Sequence, residues 1–266
     1  MLKQDIENLK DDPTLLKQQL QIYAQHAKDS KVINFFLNHE DEDIRYDISS
    51  NKNIPEDVIR QLAKDKEYSI RRNIARRSDL PEDIVRQLAQ DERNDVRENI
   101  ALHSNLPEDV FRQLVQDKSE AVRGYIGTRN DLPEDAIRQL SQDKSAFVRS
   151  KICENNNLPE DIIRQLSQDK NKFVRGYIAV RNDLPEDIVR QLAQDEGENV
   201  RGYIAVRNDL PEDIVRQLAK DEDTFTRIAI SGRHDLPEDV IRQLAQDGER
   251  PVRRNIARRS NLPEDA

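Results

Sequence analysis

Apolar residues fall in two short clusters that return at a fixed interval. In one copy, Leu184, Ile188, Val189, Leu192 and Ala193 form the first cluster. Three- and four-residue steps of this kind put side chains on one face of an α-helix, and the spacing predicts a helix of about three turns. Val200, Ile204 and Ala205 form the second cluster and predict a shorter helix of about two turns, of α or 3₁₀ type. The polar stretch Asp183-Leu184-Pro185-Glu186-Asp187 reads as the start of the first helix. Asp183 is the expected N-cap, with Glu186 closing a capping box and Pro185 in the first turn, where a missing N–H costs nothing. Glu186 and Asp187 then suit the positive end of the helix dipole.

The interval is 26 residues. Residues 174–193 and 200–219 are identical, and prolines stand at 55, 81, 107, 133, 159, 185, 211, 237 and 263 without an insertion between them. A constant period of this length means stacked supersecondary units. The expected organisation is an N-terminal capping helix within residues 1–28, a degenerate first repeat at 29–54 and eight repeats over 55–262. The start of a truncated ninth follows at 263–266, which points to a longer parent array. The capping helix rests on Leu15-Leu16-Lys17-Gln18-Gln19-Leu20-Gln21-Ile22-Tyr23-Ala24, an amphipathic run out of register with the repeat. The fold class is all-α, a solenoid of two-helix repeats.

With each proline as step 0, steps 0–10 read P-E-D-x-x-R-Q-L-x-x-D. Step 16 is Arg and step 19 is Ile in every complete repeat, and step 20 is small. Cys153 occupies step 20 and is read as a small buried residue. The Asp of step 10 and the Arg of step 16 are expected to form a ladder within and between repeats, since a guanidinium bonds two oxygens at once. Gln at step 6 is expected to satisfy loop backbone groups, and Arg at step 5 to face solvent.

The second helix offers the candidate binding residues. Step 18 holds Tyr125, Tyr177 and Tyr203, and step 22 holds Arg77, Arg129, Arg181, Arg207, Arg233 and Arg259. Four residues apart, each Tyr and its Arg are expected to share a helix face. Repetition would align them as stripes along a basic groove, leaving the acid residues on the outer surface.

The phrase P-E-D-x-x-R-Q-L-A-x-D-x-x-x-x-V-R-x-x-I-A-x-R resembles the leucine-rich repeat variant family, within the HEAT-like α-solenoids. The resemblance covers residues 29–266. It implies a right-handed superhelix with the second helix of each repeat lining the concave side. One type in that family carries an N-terminal iron–sulfur cluster on cysteines; residues 1–28 have none, so no cofactor is carried over.

Composition narrows the functional classes. Charged residues reach 36% against 35% hydrophobic, which suits thin layers with much wet surface. Net charge is -9, which disfavours a general nucleic-acid binder, and a single cysteine rules out an internal disulfide framework. No secretory signal and no membrane-spanning stretch are read, so the expected location is cytoplasmic. There is no phosphate-binding glycine loop, the four histidines lack ligand spacing, and no nucleophile has a recognisable His–acid partner. An enzyme is therefore not expected. The leading expectation is a scaffold that binds a protein or acidic peptide in the Arg/Tyr groove. The alternatives are nucleic-acid binding through phosphate contacts in that groove, and a consensus-like or engineered array with no natural ligand.

Overall fold

The structure is a computed structural model and describes residues 13–259. The expected ninth repeat at 263–266 and the first part of the capping segment lie outside the described residues. Every regular element described is an α-helix. The chain divides into two compact units, Met1–Arg129 and Asn130–Ala266. The repeat period alone gave no sign of that division.

The first unit holds α1 (Pro13–His26), α2 (Ser30–Leu37), α3 (Glu42–Ser49), α4 (Glu56–Leu62), α5 (Tyr68–Ala75), α6 (Glu82–Leu88), α7 (Asn94–Ala101), α8 (Glu108–Val115) and α9 (Glu120–Gly127). The second holds α10 (Glu134–Ser141), α11 (Ala146–Ile152), α12 (Glu160–Leu166), α13 (Lys172–Ala179), α14 (Glu186–Leu192), α15 (Glu198–Ala205), α16 (Glu212–Leu218), α17 (Thr224–Ser231), α18 (Glu238–Ala245) and α19 (Arg250–Ala257). Even-numbered helices are the first of each pair and odd-numbered ones, from α3, the second. In each unit the second helices pack directly on one another, whereas successive first helices touch little.

The first helices are shorter than the spacing predicts, at seven or eight residues, and their starts differ from expectation. Pro185, not Asp183, is the N-cap of α14, with φ -58° and ψ 146°. Its carbonyl accepts from the N–H groups of Ile188 and Val189 at 3.0 and 3.1 Å. No capping box forms, because the Asp183 carboxylate is already held by Arg181 at 2.9 and 2.6 Å. The same N-cap position in the worn repeat is Asp29, whose side chain accepts from Lys31 and Val32. The helix stops early because Asp195 leaves it to anchor the next one: its Oδ1 accepts from the Gly197 N–H at 2.7 Å.

The second helices are α-helical. Arg201 N–H bonds the Gly197 carbonyl four residues back, and three-residue closures occur at the two ends, as in Val200 N–H to Gly197 O at 2.9 Å and Arg207 N–H to Ile204 O at 3.0 Å. Val200, Ile204 and Ala205, with their counterparts in other repeats, form the core. Cys153 is buried there with its thiol donating to the Arg149 carbonyl at 3.2 Å. Burial pushes that thiol up to about 12, which suits a packing residue and not a nucleophile. In the first unit, α1 packs on α3 in the row of second helices. Asn51 fastens it there by donating to the Ala24 and Ala27 carbonyls, both at 2.9 Å.

Candidate functional site

Most of the invariant polar steps are spent on holding repeats together. Arg97 donates to both carboxylate oxygens of Asp117 in the next repeat at 2.6 and 2.8 Å, and to the Asp91 and Glu92 carbonyls of its own loop. The same pattern joins Arg71 to Asp91, Arg149 to Asp169, Arg175 to Asp195 and Arg201 to Asp221. These pairs are buried, but every charge has several partners, which is the condition under which burial is tolerated. Burial would raise the Asp117 carboxyl; Arg97 and the Ser119 N–H outweigh it and hold the group below the usual carboxylate range.

Gln at step 6 makes a second link. Gln191 donates to the Ser167 carbonyl at 3.0 Å and Gln217 to the Ala193 carbonyl at 2.9 Å, at the C-terminal ends of the preceding first helices. Arg at step 5 is not merely solvated. Arg86 bonds Asp109 of the next repeat at 2.8 Å, and Arg138 bonds Asp161 at 2.5 Å. This outer row is exposed to water, so its pairs are weak.

The arginines of step 22 form a further internal row, against the expectation that they line a groove. The second helices end at step 19 or 20, so step 22 lies in the following loop and the Tyr–Arg spacing no longer places both on one helix face. Arg77 donates to the Asn51 carbonyl at 2.8 Å and is bidentate to Asp79. Arg129 reaches the Ala101 and Ser104 carbonyls. Arg181 bonds the Cys153 and Asn155 carbonyls at 2.7 and 2.6 Å. Arg207, Arg233 and Arg259 each donate to the carbonyl of the step-22 residue one repeat earlier. Arg207 and Arg233 are 8% exposed and cannot offer their guanidinium groups to a partner. Arg207 in turn holds the Asp209 carboxyl below the usual range.

The surface left over is the outward face of the second helices, at steps 14, 17, 18 and 21. In the second unit it carries exposed apolar residues from α11 to α17. Phe147 stands on α11, Phe173 and Tyr177 on α13 with Val180 just after it, Tyr203 on α15 with Val206 just after it, and Phe225 on α17; all are exposed. Tyr177 and Tyr203, 41% and 45% exposed, line a cleft of about 310 Å³ with Phe173, Val180, Val200 and Lys172. The glycine at step 17 shapes it. A Cβ on Gly176 would lie 3.3 Å from the Tyr203 Cε2, so the bare backbone lets that ring settle against α13.

The structure thus brings Tyr177 and Tyr203 together. Tyr125 is half-buried on α9 in the first unit, where the corresponding face is mostly polar apart from the exposed Leu102. A cleft of about 460 Å³ there is lined by Ser50, Lys52, Asn73 and Arg76, above the Arg77–Asp79 pair. The phenylalanines of step 14 and the valines of step 21 were not expected at the site. Their signal was present as apolar residues at helical positions that vary between repeats and so are not required by the architecture. Among the described residues no cluster of His, Cys, Asp and Glu could hold a metal ion, and no helix is long and apolar enough to cross a membrane.

Compared with solved structures, the chain is similar to a leucine-rich repeat variant with a novel repetitive structural motif. The identity is 24% and the TM-score 0.66, over 84% of this chain and 88% of that one. An engineered protein matches at 12% identity and a TM-score of 0.31, over 97% of each chain. Computationally designed armadillo repeat proteins for modular peptide recognition match at 14% identity and a TM-score of 0.17, over 97% of each chain. Scores that low bear on nothing further. No protein-family model and no curated protein sequence matches the chain. The fold is that of an all-α solenoid of repeated helices, shared with the leucine-rich repeat variant.

Proposed function

We propose that the chain is a non-catalytic repeat scaffold that binds a protein or peptide on the exposed face of its second helices. The observation that carries this reading is the cleft between α13 and α15. Two tyrosines and a phenylalanine stand open to solvent there, within a run of exposed apolar side chains that continues through Phe147, Val180, Val206 and Phe225. Aromatic residues concentrate binding energy at interfaces, and a contiguous exposed apolar patch marks an interaction surface. Phosphate contacts with nucleic acid would have drawn on the step-22 arginines, which are bonded internally. That reading has lost its carriers.

The test is selection from a displayed library of random peptides on the full chain and on a Tyr177→Ala/Tyr203→Ala variant. Peptides enriched on the native chain should lose at least tenfold in affinity for the variant. Equal recovery on both proteins rules this face out.

A further inference from the structure

The apolar face of the second unit has a size and a direction. One or more large apolar side chains stand exposed on each of α11, α13, α15 and α17 or just beyond its end, so the band runs across the helices and not along one of them. Packed helices lie about 8–10 Å apart. A chain crossing them in extended form, at about 3.3 Å per residue, meets a new helix every three residues or so. The cleft of about 310 Å³ between α13 and α15 admits one or two side chains. An α-helix, about 10–12 Å across with its side chains, does not fit into it.

The band ends on a different chemistry. α19 packs against α17, and its outward face carries Arg254, with Arg258 just past its end, where the earlier repeats carry Gly176 and Val180 or Gly202 and Val206. Both arginines are exposed, and no ion pair among the described residues engages either. This distinguishes them from ladder arginines such as Arg201 and Arg227, which are paired with the carboxylates of Asp221 and Asp247.

We infer that the partner is an extended peptide segment with apolar anchors about three residues apart and a cluster of carboxylates at one end, seated on Arg254 and Arg258. This rests on the binding face proposed above. It assigns recognition of acid to α19 and its C-terminal flank, and recognition of apolar side chains to α11–α17.

Selection from a random 16-residue peptide library decides it, using the full chain and an Arg254→Glu/Arg258→Glu variant whose far-UV circular dichroism matches the native protein. The native chain should enrich peptides with Asp or Glu grouped at one end and apolar residues at three-residue spacing. The variant should enrich the same anchors with Lys or Arg at that end, and bind the acidic peptides at least tenfold more weakly. Peptides without a terminal charge bias, an unchanged acidic cluster on both proteins, or anchors at helical spacing would overturn the inference while leaving the binding face standing. Enrichment that is equally strong on the Tyr177→Ala/Tyr203→Ala variant would remove the face itself, and the inference with it.

Discussion

Arg97 and Arg254 differ by one helical step, sixteen against seventeen, and do opposite work. Arg97 points into the stack, where Asp117 and two carbonyls consume its donors. Arg254 is exposed to solvent. Invariance is what separates the two, since a residue that joins repeat to repeat must recur in each. Step 22 shows the limit of that test: His103 and Asn155 stand there in two repeats, yet its arginines bond the framework. The aspartates carry a consequence for pH. Burial would raise Asp117, Asp169 and Asp247, but their arginines and a backbone N–H hold them below the usual carboxylate range. A depressed folded-state value stabilises the protein above the unfolded value, and that contribution vanishes as pH falls through the folded one. The urea midpoint is therefore expected to stay level from neutrality to about pH 5 and to fall below roughly pH 4. A midpoint that rises on acidification contradicts the ladder.

At the scale of the helix, length decides. Second helices of eight residues, such as α15, are too short to persist in water alone. The prediction is that a synthetic peptide of residues 185–210, one whole repeat, gives a random-coil far-UV spectrum, while the full chain is strongly helical. A helical spectrum from the peptide would place stability inside the repeat and not between repeats. The pairing of helices and the 26-residue period were legible in the sequence because apolar periodicity is a local signal. The helix ends were not. Asp183 has the composition of an N-cap, yet a competing guanidinium at Arg181 takes it, and that competition depends on where the loop folds. Likewise Asp195 ends α14 by turning to serve α15, which no reading of α14 alone reveals.

For the whole molecule, a division of labour follows. The recurring steps bond carbonyls, carboxylates and buried apolar groups between neighbouring repeats. The steps that vary on the outward face are free of that framework: mostly polar in the first unit, and apolar from α11 to α17 with basic α19 in the second. The candidate face was half legible. Its tyrosines are legible because they recur at step 18, whereas the phenylalanines of step 14 and the valines of step 21 each occur in only some repeats and form no stripe in the sequence.

The most direct measurement compares denaturant midpoints for two double variants, Arg181→Ala/Arg207→Ala and Tyr177→Ala/Tyr203→Ala. Losing the arginines strands buried carbonyls, each worth about 1–3 kcal/mol, so the first pair should drop the midpoint sharply. The tyrosines are nearly half exposed, and the second pair should produce less than half that drop. A tyrosine pair as damaging as the arginine pair would mean that the proposed recognition face is part of the framework.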